Sequence, residues 1–203
     1  MKFTMNSPAV MASMLVVTVA VLGAGTLAYT VYGKHVEGPL MHTIGGWLPA
    51  ATVGSATISY GEYLDHSAAA GRFIKAQAPL TGTPSVMTDE DRKSTLDRAV
   101  RIAAVKELSD GKKVAVTSLD INRAYDQTIL QTGTSTTPEE FKQYLAQVYG
   151  WTEDDFKHFI LGPALLEDEV KRAYLHDNKT DDDFNKDLET AMSEPHTKRY
   201  LAF

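Results

Sequence analysis

Three observations predict a mainly helical protein with one short β segment behind an uncharged N-terminal span. A Ser or Thr followed three residues on by Asp or Glu stands at Ser59, Thr88, Thr137, Thr152 and Thr180, each ahead of apolar residues at three- and four-residue spacing. That is the signature of a capped amphipathic helix, because the hydroxyl accepts from a free N–H of the first turn and the acid faces the positive end of the helix dipole. Only Ala51–Tyr60 is rich in strand-forming residues. Pro8–Tyr32 contains no Asp, Glu, Lys or Arg.

At about 1.5 Å of rise per residue, Pro8–Tyr32 is long enough to cross a hydrocarbon core of about 30 Å, which predicts a transmembrane anchor after a cytoplasmic leader at residues 1–7. A cleaved signal peptide has a shorter apolar run and a more basic start. Tyr29, Tyr32 and Lys34 suit the far interface. Ala20, Ala24 and Ala28 recur every fourth residue as a ridge that could pack a partner membrane helix or a second copy; facing lipid is the simpler alternative. A short leader before the span and a long domain after it predict a single-pass protein with the domain outside the cytoplasm.

Residues 33–49 read as a juxtamembrane linker with a short interfacial helix near Pro39–Ile44, leaving Trp47 and Leu48 at the headgroups or beneath the domain. In Ala51–Tyr60, Gly54-Ser55 separates two β-prone runs as a turn. Ser59 with Glu62 caps a helix from Tyr60 to about Gln77, with Tyr63, Leu64, Ala68 and Phe73 near one side. Ala78–Met87 reads as a loop.

Thr88 opens a helix with Leu96, Val100, Ala103, Ala104 and Leu108 on one stripe, ending at Asp110-Gly111. A helix from Ser118 carries Ile121, Tyr125 and Thr128 and stops at Gly133. Thr137-Pro138 starts another, with Phe141, Tyr144, Leu145 and Val148 inward and Gly150 as its stop. Thr152 caps a helix through Phe156, Phe159, Ile160, Leu166, Val170, Ala173 and Tyr174, kinked at Gly162-Pro163 because proline supplies no N–H and crowds the preceding turn. Thr180 caps a short helix around Phe184 and Leu188, and Ser193–Phe203 reads as an exposed tail.

Lys2 is the only charged side chain before Lys34, so the rest carries 19 basic against 26 acidic residues, a net of about −7. An acidic domain is ill suited to nucleic acid, whose backbone is bound through Lys and Arg. The absence of Cys excludes a disulfide framework and Cys-ligated zinc.

Ala51–Asp65 (ATVGSATISYGEYLD), Leu96–Leu108 (LDRAVRIAAVKEL), Val116–Asn122 and Pro138–Ile160 (PEEFKQYLAQVYGWTEDDFKHFI) together resemble, in order and spacing, the N-terminal chaperone domain of SurA-like folding factors, including the membrane-anchored PpiD and PrsA type. The resemblance runs from about Ala51 to Leu175 and implies a chaperone domain over residues 50–176, followed by a short helix and tail at 177–203. Ser55 after Gly54 departs from the family's turn. The resemblance also implies a parvulin-type prolyl isomerase domain downstream. Asp177–Phe203 is too short for an autonomous domain without staples or metal, so no isomerase activity is expected.

No nucleophile elbow, phosphate loop or metalloprotease helix is present, and no catalytic residue or cofactor is expected. Asp154 and His158 stand four apart, as two metal ligands would, but no third is placed by sequence. Asp177, Asn178 and Asp181–Asp183 have the composition but not the order of a calcium loop, and read as a helix cap. Glu167–Glu169 read as a solvated face, and His42 and His66 receive no role. The expected partners are the bilayer and unfolded or nascent extracytoplasmic polypeptides. Phe73, Tyr125, Tyr144, Tyr149, Trp151, Phe159 and Tyr174 are the candidate client contacts wherever they remain exposed. The alternatives are a structural or assembly subunit of a membrane complex and a degenerate isomerase.

Overall fold

In the computed structural model, residue 31, residues 38–132 and residues 137–203 are described. Helix α1 (Pro39–Gly45) leads into the hairpin β1 (Pro49–Val53) and β2 (Ala56–Ser59). The remaining helices are α2 (Tyr60–Thr81), α3 (Asp89–Lys112), α4 (Ser118–Thr132), α5 (Pro138–Tyr144), α6 (Glu153–Phe156), α7 (Gly162–His176) and α8 (Asp181–Met192), with strand β3 (Thr197–Arg199) last. Short π-helical turns join α5 to Tyr149 and α6 to α7.

The hairpin forms where the β-prone residues stand, with Val53 opposite Ala56 and Ala51 opposite Ile58. Gly54 turns it at φ 52°, and the Glu107 carboxylate lies where a β-carbon would be. The expected hydroxyl caps form at Ser59, Thr88, Thr137, Thr152 and Thr180, and the last four make reciprocal capping boxes. Helix α4 begins at Ser118 as expected, and Thr117 before it supplies the cap hydroxyl, accepting from the Asp120 N–H at 3.3 Å.

Helix α3 is the hub. Leu96, Val100 and Ala104 are buried against the sheet, α2, α7 and α8, in a core shared with Val53, Ile58, Tyr60, Tyr63, Val170 and Phe184. Burying a side chain the size of Leu or Val contributes about 1.5–3 kcal/mol, so this stripe fixes how the outer helices sit. A second cluster, Tyr125, Ile129, Phe141 and Leu145, ties α4 to the hairpin of helices that follows it.

Three boundaries and one inward-facing residue differ from the sequence reading. Ser193–Phe203 is not an exposed tail: β3 pairs antiparallel with β1, giving the sheet order β2-β1-β3. Thr197 and Leu201 are buried there, and Phe203 packs its ring 6.1 Å from Tyr63. A three-residue strand in which Thr197 is buried and Lys198 and Arg199 are both exposed is too short to show alternation. Helix α2 continues through Pro79 to Thr81, since a proline in the last turn costs one bond, and Gly82 then caps it. Helix α3 ends at Lys112, with Lys113 in the left-handed conformation, rather than at Asp110-Gly111. Ala69, not Ala68, faces inward on α2.

Trp47 is 91% exposed while Leu48 packs on the core, so the two residues part company. Among the described residues no helix is long and apolar enough to cross a membrane. The span Pro8–Tyr32, with Ala20, Ala24 and Ala28, lies outside the described residues apart from Val31, which is buried in the main core.

Candidate functional site

A largely apolar concavity of about 530 Å³ opens where the hairpin of α5 and α6 leans on the middle of α2. Its position depends on local chemistry at Gly150. This residue closes the π-helical turn in the left-handed conformation, φ 67°, and a β-carbon there would stand 2.7 Å from the Arg72 carbonyl oxygen. Only glycine allows both the turn and so close an approach to α2. Three bonds then clamp the hairpin onto α2: the Trp151 indole N–H donates to the Ala69 carbonyl at 2.8 Å, the Gln77 amide donates to the Val148 carbonyl at 2.6 Å, and Arg72 pairs with Asp155 at 2.6 Å.

An unbroken run of aromatic rings lines this concavity. Phe73 stacks on Tyr149 at 5.8 Å between centroids, Tyr149 stacks on Trp151 at 5.5 Å, and Tyr144 meets Tyr149 edge-on at 5.7 Å. Tyr144 continues to Phe141, and Phe141 meets Phe156 edge-on at 5.9 Å. Offset and edge-to-face contacts of this kind add roughly 0.5–1.5 kcal/mol each beyond area burial, so the wall is preorganised. Tyr144 remains 46% exposed. The Tyr149 hydroxyl is held above its ordinary range by its hydrogen bond with Tyr144 and then by burial.

Four of the seven expected contact residues, Phe73, Tyr144, Tyr149 and Trp151, therefore share one wall. The other three are core. Tyr125 is buried in the second cluster, and burial, followed by the Glu153 charge, pushes its hydroxyl up to about 12. Phe159 is buried with its ring 4.9 Å from His66. Tyr174 is buried in the main core, donates to Asp187 at 2.8 Å, and is also pushed up to about 12, first by burial. Their spacing fits a stripe, and a stripe alone does not say which rings a neighbouring helix will cover.

Sequence reasoning missed Arg98 and Ile160 as wall residues. Arg98, Arg101, Ile102 and Val105 follow helical spacing on a second face of α3, a signal hidden by the stronger stripe beside it. Arg98 donates to the Phe159 carbonyl at 3.0 Å. No carboxylate among the described residues pairs with it, whereas Arg101 pairs with Glu167 at 2.9 Å. Arg98 and Ile160 also wall a second depression of about 320 Å³, lined beyond them by Ile102, Val105, Pro163, Ala164 and Leu166 and by the Arg101–Glu167 ion pair.

The remaining candidates resolve into local structure. Glu167 is not simply a solvated acid, since it accepts from both Arg101 and Lys171 at 2.9 Å. Asp183 completes the Thr180 capping box and Asp177 pairs with Lys112 at 2.6 Å. Asp154 and His158 border a shallow depression with Asp65, Arg72 and Asp155, yet no cluster of three metal-ligating side chains occurs among the described residues. No known family model, curated protein or solved structure matches the chain, so the reading of this site rests on its own geometry.

Proposed function

We propose that the chain is a membrane-anchored, extracytoplasmic chaperone-like protein that binds unfolded or partly folded polypeptides without ATP. The observation that carries this reading is the open wall of Phe73, Tyr144, Tyr149 and Trp151, clamped rigid on α2 while Tyr144 stays exposed. A preformed apolar recess with a few polar groups at its rim suits a bulky side chain, and sequence-tolerant stacking suits a binder of many clients. The uncharged span Pro8–Tyr32 supports anchorage. Absence of a phosphate-loop motif in the sequence supports action by mass action alone, in which bound client is withdrawn from the aggregating pool.

The test is light scattering from a heat-labile client with the full chain, held in lipid nanodiscs, at several-fold molar excess and without nucleotide. Slower aggregation is expected, together with loss of the domain when protease is added to intact spheroplasts. Unchanged aggregation would favour an assembly subunit, and full protection from protease would overturn the topology.

A further inference from the structure

The aromatic recess and the smaller depression beside it meet at Arg98 and Ile160, which belong to the walls of both. Across that shared wall the apolar lining changes from aromatic to aliphatic: Phe73, Tyr144, Tyr149 and Trp151 on one side, Ile102, Val105, Pro163 and Leu166 on the other, where the Arg101–Glu167 ion pair, its charges mutually neutralised, completes the lining. The one cation common to both is Arg98, more than a third exposed and with no carboxylate partner among the described residues. Its neighbours differ: Arg101 is engaged by Glu167 and Arg72 by Asp155. One side of the Arg98 guanidinium is held by the Phe159 carbonyl, which orients the fork and leaves further N–H groups to donate.

We infer, resting on the polypeptide-binding reading above, that the site selects an extended segment carrying an aromatic residue, then an acidic side chain, then an aliphatic residue. The ring enters the aromatic recess, the carboxylate meets Arg98 on the shared wall, and the aliphatic side chain fills the second depression. An internal acidic residue is favoured over a chain terminus because a lined depression lies on each side of Arg98, so the bound chain continues past it. The selectivity is also set by contrast. The chain carries 26 acidic against 20 basic residues, so an acidic segment is repelled by most of the surface and accepted at the Arg98 fork, which lines both depressions.

The experiment uses the full chain in lipid nanodiscs and fluorescent peptides blocked at both ends, of the form aromatic–Glu–aliphatic, with Gln or Lys in place of Glu. Binding is read by fluorescence anisotropy at low and at raised salt. The Glu peptide is expected to bind about five- to tenfold more tightly than the Gln peptide and to lose that margin in salt. The Lys peptide should be weakest. Arg98→Gln should remove the Glu-over-Gln margin while the Gln peptide still binds, and Arg101→Gln should preserve it. A peptide with Gln at the centre and a free C-terminal carboxylate after its aromatic residue should gain nothing; a gain as large as that from Glu would overturn the internal-segment assignment. Equal binding of Glu and Gln peptides by the unsubstituted chain overturns the inference but leaves the polypeptide-binding reading standing, and it does not depend on any variant folding. Binding of none of the peptides overturns both.

Discussion

The Arg98 guanidinium donates to the Phe159 carbonyl, at 3.0 Å, across the seam between α3 and the π-helical turn that precedes α7. Pro163 stands four residues after Phe159 and has no N–H to offer that carbonyl. An expected kink is thus realised as a widened turn at Lys157–Leu161, with the Phe159 carbonyl bonded from a neighbouring helix. Replacing Arg98 with Ala should cost about 1 kcal/mol, the size of a typical hydrogen bond, read as a lower urea midpoint at unchanged slope. A change within error of that for Arg101→Ala, which loses only a surface pair, would mean the carbonyl is satisfied in another way.

Gly150 carries a steeper prediction. Ala there must adopt φ 67° and bring its methyl to 2.7 Å from the Arg72 carbonyl oxygen, against backbone that has little room to yield. The strain and the clash together should cost about 2 kcal/mol or more. The Trp151 indole bond to Ala69 depends on the same approach, so a red shift in Trp fluorescence should accompany the loss. A variant as stable as the parent, with unshifted emission, would show that the hairpin does not need this contact.

How much of this could be read beforehand follows from the range of the forces involved. Caps at Thr88, Thr137, Thr152 and Thr180 were legible because cap, acid and stripe lie within a few residues of one another. Phe73, Tyr144, Tyr149 and Trp151 could be named but not separated from Tyr125, Phe159 and Tyr174. Which rings are covered depends on α2 meeting the 138–161 hairpin across a separation of about eighty residues, as the Trp151 bond to Ala69 illustrates. Strand β3 was invisible for a related reason, since its pairing with β1 joins segments at opposite ends of the described domain.

That pairing can be tested through Leu201, which is 6% exposed and belongs to the main core. Leu201→Ala should cost about 2–3 kcal/mol, within the span found for truncating buried aliphatic side chains. Lys198→Ala, on the outer side of the same strand, should change stability by less than about 0.5 kcal/mol. Equal, small effects from both would return residues 193–203 to the status of a tail.

His66 makes stability depend on mild acid. Its pKa is lowered to about 4, first by burial, then by the charges of His158 and Arg98, with Asp65 opposing. Between pH 6.5 and 4 the unfolded chain binds a proton at this residue and the folded chain does not, so acid favours unfolding across that window. The loss should reach on the order of 2–3 kcal/mol at pH 4 and be absent above pH 6.5 or so. His66→Leu should flatten the dependence there, leaving the steeper loss below pH 4 where Asp91 and Asp183, held low by Thr88 and Thr180, take up protons. Parallel pH profiles for parent and variant would refute the assignment.

The rings on the two sides of the site give the sharpest separation of folding from function. Phe159 is 8% exposed, packed on His66, and Tyr174 is 2% exposed, bonded to Asp187, so Ser at either position removes a buried ring and leaves a cavity. Each should lose about 3–5 kcal/mol and melt markedly earlier. Tyr144 differs because its ring is 46% exposed at the mouth of the recess. Tyr144→Ser gives up its ring contacts with Tyr149 and Phe141 and its hydrogen bond with Tyr149, together about 2 kcal/mol, and should lower Tm by several degrees, well short of the core substitutions. Aggregation of an unfolded client should nevertheless rise toward the rate seen without the protein, measured well below either Tm so that folded fractions match. If Tyr144→Ser protects the client as well as the parent does, the aromatic wall is not where clients bind.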